Sequence, residues 1–115
     1  MAEFRGKGVV AAVKTAPGTI LADIEKVMQL GGFQAALPQG VRTGLKINIS
    51  WQTWYPACSS APWQIEGAIQ TLHRAGYADL VGVHNDTVVV DTRVGEFNNK
   101  HRFVTDKFGV PCIYL

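Results

Sequence analysis

The chain has 115 residues, 47% of them hydrophobic and 17% charged, and a formal net charge of +2, which fits one folded domain with a modest core. So small a charge, with Lys14, Lys46, Lys100 and Lys107 scattered along the chain, excludes the dense basic face that nucleic-acid binding needs. No apolar stretch approaches the ~20 residues that span a bilayer, and the N-terminal MAEFRGKG has no apolar core of a secretory signal, so neither a membrane nor an export route is expected.

The first apolar run, Val9 to Val13, is bounded by Lys14 and reads as a buried strand. After the Pro17-Gly18 turn, Ile20, Leu21, Ile24, Val27, Met28 and Leu30 recur at helical spacing, with Asp23, Glu25 and Lys26 on the opposite side. Gly31-Gly32 supplies the left-handed conformation that a helix C-terminus often uses. A loop through Pro38-Gln39-Gly40 leads to a second strand near Leu45, in which Lys46, Asn48 and Ser50 alternate with Leu45, Ile47 and Ile49, giving it one polar face. An aromatic and polar loop follows. A second helix then runs from Pro62 to about Ala75, with Ile65, Ala68, Ile69 and Leu72 as its apolar stripe; Pro suits its first turn, and Gly76 stops it. Ala78 to Val83, ending in His84-Asn85-Asp86, reads as a third strand. Thr87 to Val90 is a further strand or a continuation after a turn. Asn98 to Phe108 has Phe103, Val104 and Phe108 at helix-compatible positions, and Val110 to Leu115 reads as a last strand.

Strands alternating with helices predict an α/β fold, a three-layer, Rossmann-like sandwich with a mostly parallel sheet. The chain reads as a single α/β domain, and its end inside a strand suggests the N-terminal part of a longer protein. In such sheets ligands sit beyond the carboxyl ends of the strands. Lys14 and Thr15, Lys46 to Ser50, and His84 to Asp86 all fall there, so these ends are the predicted site.

The sharpest chemical reading is anion binding. Ser59 and Ser60 lead into the helix that opens at Pro62, whose first turn presents free N–H groups and a partial positive charge. Lys46 adds a full charge, Asn48 shares its strand face, and Asn85 follows the third strand. The plain alternative is that a serine merely caps the helix and that Lys46 is solvated. Neither GxGxxG nor GxxxxGK[ST] is present, so the usual dinucleotide and P-loop fingerprints are absent.

Other constellations are weaker. His84 and Asp86, two apart, would share a strand face, but no zinc-type spacing accompanies them, and no metal site is expected. Cys58 precedes a helix start, where a thiol pKa tends to fall; a half-buried structural cysteine is the plainer reading. The two cysteines, Cys58 and Cys112, form no CxxC and read as reduced cytoplasmic thiols, with a structural disulfide as the alternative. Trp51, Trp54, Tyr55 and Trp63 offer stacking on a ligand ring, or a cover for the sheet or an interface. Asn98-Asn99-Lys100 reads as a polar helix start that reaches toward the same crevice, or a solvated cap.

The blocks LKINISW, PACSSAPWQIEGAIQTLHRAGY, VHNDTVVV and GEFNNK, with the LGGF helix ending, resemble the corresponding parts of the domain of unknown function 362 family. The resemblance covers nearly the whole chain and implies an N-terminal α/β portion. Lys46, Asn48, Ser60, Pro62, Asn85 and Asn99 match recurrent polar and turn positions of that family. Many members are described as iron–sulfur proteins with C-terminal cysteine motifs, but this chain carries no such motif, since a cubane cluster usually needs four thiolates. The cofactor is left unknown. The expected partner is a small anionic ligand at Lys46, Asn48, Ser59, Ser60 and Asn85. Two alternatives are a docking module that meets a partner protein or a missing C-terminal region through its aromatic loop, and the N-terminal part of an iron–sulfur redox protein.

Overall fold

Three short strands, all parallel, organise residues 6–115, the part of the chain that the computed structural model describes. The elements run α1 (Ile20–Leu30), α2 (Phe33–Ala36), β1 (Thr43–Lys46), α3 (Pro62–Arg74), β2 (Leu80–His84), α4 (Thr92–Asn98), α5 (His101–Lys107) and β3 (Cys112–Tyr114). The sheet order is β1-β2-β3. Thr43 pairs with Leu80 and Lys46 with Val83, while Gly82 pairs with Cys112 and His84 with Tyr114. The chain is thus an α/β domain with a parallel sheet.

Strand periodicity places Leu45, Leu80, Gly82, His84, Cys112 and Tyr114 on one face. The core lies on that side, where Ile47 and Leu80 meet Ile65, Ile69 and Leu72 of α3 and Val104 of α5. The other face carries Gly44, Lys46, Val81, Val83 and Ile113. Helix α1 packs on α3 across Gly67. A Cβ there would lie 2.7–2.9 Å from three side-chain atoms of Ile24, so glycine sets the closeness of the two helices. An Arg74–Glu25 ion pair closes the same seam at the surface.

Punctuation by proline and glycine holds at both long helices. Pro62 is the first residue of α3, Gly76 beyond its end has φ +92°, and Gly32 after α1 has φ +74°. The α3 N-cap is Ala61 rather than a serine; Gln64 Oε1 accepts from the Ala61 amide at 2.8 Å.

Four expectations are corrected. Val9–Val13 is not a strand: Val9 is 69% and Val10 89% exposed. An apolar run supplies side chains to bury but no ladder, and β1 pairs only with β2 among the described residues. Lys14 and Thr15 therefore do not follow a strand. β1 begins two residues before Leu45 and ends at Lys46, where its ladder with β2 runs out; Ile47 still donates to the Val83 carbonyl at 3.2 Å. Thr87–Val90 is a loop, closed by the Thr87 hydroxyl accepting from the Val90 amide at 3.1 Å. The helix expected from Asn98 starts only at His101, after Lys100 takes a left-handed φ of +66°; Asn98 instead ends a separate helix, α4, that the sequence pattern does not predict.

Candidate functional site

The loop between β1 and α3 is folded by its own polar side chains. The Asn48 amide donates to Ser60 Oγ at 3.2 Å, and the Ser50 amide to Ser59 Oγ at 3.2 Å. Asn48 Nδ2 donates to the Cys58 carbonyl at 3.2 Å and to Ser50 Oγ at 3.1 Å. Asn48, Ser59 and Ser60 are therefore brought together, each serine hydroxyl accepting from the chain that leaves β1. From α4 and its junction with α5, Asn98 Nδ2 donates to the Gln52 carbonyl at 2.9 Å and Asn99 Nδ2 to the Trp51 carbonyl at 3.0 Å. These two amides fix the other side of the aromatic loop.

A cavity of about 680 Å³ opens where this loop meets the first turn of α3. Its walls include Trp54, Tyr55, Ser59, Ser60, Trp63 and Lys100. Asn99 also borders it, so the Asn98-Asn99-Lys100 stretch does reach the crevice. The Lys100 ammonium lies 5.6 Å from the centre of the Phe103 ring. Lys46, Asn48 and Asn85 are not part of the lining. Lys46 lies on the exposed side of β1, and the Asn85 carbonyl accepts from Thr92 Oγ1 at 2.9 Å. The arrangement combines aromatic walls, two hydroxyls, a helix N-terminus and one ammonium, a set suited to a ring-bearing anion.

A second polar group sits on the core face of the sheet, around the carboxyl end of β2, and it is buried. His84 ends β2, Glu96 comes from α4, Cys112 and Tyr114 from β3, and His101 starts α5. His84 Nε2 stands 2.8 Å from Glu96 Oε1 without the alignment of a hydrogen bond. Tyr114 donates its hydroxyl to Glu96 Oε2 at 2.7 Å, and its ring stacks on His84 with centroids 5.8 Å apart. One donor atom each from His84, Glu96 and Cys112 lie within 4.8 Å of one another. Asp86, two residues after His84, is exposed and does not join them. Both cysteines are free thiols.

Burial governs the titration of this group. It lowers the pKa of His84, against the pull of Glu96. It pushes the Cys112 thiol up to about 11, helped by the Glu96 carboxylate, and the Tyr114 hydroxyl up to about 12. His101 is held below its ordinary 6.5 by burial, although the Ser60 carbonyl and Glu96 pull upward. Since a carbonyl only accepts, His101 carries its proton on Nε2, 2.6 Å from the Ser60 oxygen.

A pH dependence of stability follows from His101. Above 6.5 both folded and unfolded chains are neutral there, and its contribution is whole. As the pH falls below 6.5 the unfolded chain takes up the proton first, so stability drops until the lower folded pKa is passed. Melts between about pH 7.5 and about pH 5 are expected to show this loss, and His101→Gln to reduce it, leaving the share of the same sign that comes from His84. A wild-type melting temperature that rises on acidification would contradict the buried, neutral imidazole.

Among the described residues no helix is long and apolar enough to cross a membrane. No family model matches the chain, and neither a curated protein nor a solved structure matches it.

Proposed function

We propose that this chain is a small-molecule-binding α/β module, and that a small organic anion carrying a ring occupies the crevice at the N-terminus of α3. The observation that carries the reading is the cavity itself. Its roughly 680 Å³ falls in the range of small-molecule sites, and its walls are aromatic with a few convergent polar groups. The Trp63 amide, which has no acceptor among the described residues, and the hydroxyls of Ser59 and Ser60 face the anion, Lys100 supplies the charge, and Trp54 and Trp63 flank the ring. In this reading Asn48 holds the loop in place, and Lys46 and Asn85 stand outside the contact. The family proposed on the sequence blocks has no established activity and adds no substrate.

Calorimetric titration with inorganic phosphate, nucleoside monophosphates and aromatic carboxylates tests the proposal. Binding by a ring-bearing anion is expected, and Lys100→Ala should weaken it about tenfold, the scale of one charge-assisted hydrogen bond. Lys46→Ala should leave affinity unchanged; an equal loss in that variant would move the anion to the end of β1. A chain that binds none of the probes, and whose melt none of them raises, would refute the site.

The exposure of Trp54, Tyr55 and Trp63 favours a second reading, a docking surface for another protein. In that case Trp54→Ala abolishes a partner contact while anion affinity, if any, is unaltered.

A further inference from the structure

We propose that His84, Glu96 and Cys112 form a binding site for a divalent transition-metal ion of the zinc type. The three side chains come from three separate elements, β2, α4 and β3, and converge on the core face of the sheet, His84 at the carboxyl end of β2 and Cys112 at the start of β3. Their donor atoms lie within 4.8 Å of one another. Zinc bonds of ~2.0–2.3 Å place tetrahedral ligand atoms roughly 3–4 Å apart, so a small contraction closes the cluster on an ion.

Burial sets this group apart from a chance surface cluster. His84 is 1% and Glu96 6% exposed, yet both ring nitrogens of His84 and Oε1 of Glu96 lack a hydrogen-bonded partner among the described residues. Orphaned buried polar atoms are costly and rare in native folds, and a single cation satisfies one ring nitrogen of His84 together with Glu96 Oε1. The sheet also makes room for the sulfur. Cys112 pairs with Gly82, and a Cβ on Gly82 would stand 2.7 Å from Cys112 Sγ.

The surroundings suit a metal as well. Tyr114 holds the second carboxylate oxygen of Glu96 at 2.7 Å, the kind of outer contact that orients a ligand. A cavity of about 240 Å³ borders Glu96, Cys112 and Tyr114; it gives an ion a way in and leaves room for water as a fourth ligand. The donor set decides the class of ion. Calcium and magnesium take oxygen ligands, whereas one imidazole, one thiolate and one carboxylate suit zinc and its first-row neighbours. Binding forms the metal–sulfur bond and releases the Cys112 thiol proton to solvent. No redox change is involved.

Cobalt(II) is a spectroscopic probe for such a site. The full chain, stripped with a chelator and titrated with cobalt(II), is expected to bind one equivalent and to show a thiolate-to-cobalt charge-transfer band that zinc(II) abolishes. Cys112→Ser should remove the band, Cys58→Ser should keep it, and Glu96→Gln should weaken binding at least tenfold. Tyr114→Phe should weaken it by roughly ten- to a hundredfold while keeping the band. A folded wild-type chain without the band, or a band that depends on Cys58 and not Cys112, would overturn the proposal. If Cys112→Ser does not give a cooperative melt, Cys58→Ser and Glu96→Gln decide by the same criteria.

Discussion

Ile69→Ala is expected to destabilise the chain by about 3 kcal/mol, within the usual cost of emptying a fully buried branched side chain. Ile69 is 0% exposed, and it sits in the middle of α3, where the helix stripe meets Leu80 and Ile47 on the sheet side and Val104 on α5. Removing three carbons there loses their transfer free energy and leaves a void. The surrounding side chains relax into it only in part. A chain of this size has roughly 5–15 kcal/mol of stability in all, so the melting temperature should fall by roughly 10–15 °C. Ile113→Ala, at a position 47% exposed, is the comparison, and should shift it little. Equal effects at the two positions would mean that the core does not lie between α3 and the face of the sheet described above.

What sequence alone made legible follows from how each element is stabilised. α1 and α3 carry apolar residues at helical spacing between proline and glycine signals, and both were expected nearly to the residue. The parallel sheet was legible too, since β1 and β2 alternate with helices. The run Val9–Val13 misled because hydrophobicity reports what gains from burial, whereas a strand also needs a neighbour's backbone. α4 was missed for the opposite reason. Its pattern is inverted: Thr92, Gly95 and Glu96 face inward while Val94 and Phe97 are exposed. The one local signal was Asp91, whose side chain caps the helix by accepting from the Val94 amide at 3.0 Å.

The candidate site divides along the same line. Ser59 and Ser60 were legible because the feature that places them, a helix opening at Pro62, is local. The cation that reaches the crevice, Lys100, lies 40 residues beyond them and was foreseen only as a polar helix start that reaches toward it. The buried group was not foreseen at all. His84 had drawn attention as a neighbour of Asp86, but its partner is Glu96, on a helix whose polar residues point inward. Cys112 meets both only through the register of β3 against β2.

Glu96→Ala is expected to cost about 2–4 kcal/mol in the metal-free chain, from a buried hydroxyl left without its acceptor and the cavity left where the side chain stood. The side chain is nearly enclosed; its loss leaves His84 beside a void and the Tyr114 hydroxyl without its acceptor. The penalty arises from the groups left behind, not from any large net contribution of the cluster. Replacing the whole unit with apolar residues of similar volume, as His84→Phe with Glu96→Met and Tyr114→Phe, should therefore recover most of the loss, to within about 1–2 kcal/mol of the native chain or above it. Urea unfolding of the three proteins measures this. A neutral Glu96→Ala would mean that water reaches the cluster, and the argument from orphaned atoms would fail with it. A costly single variant and a tolerated triple one would show that the fold does not need these polar groups for stability. Their retention at the carboxyl end of a parallel sheet, where ligands are generally bound, would then point to binding as their role.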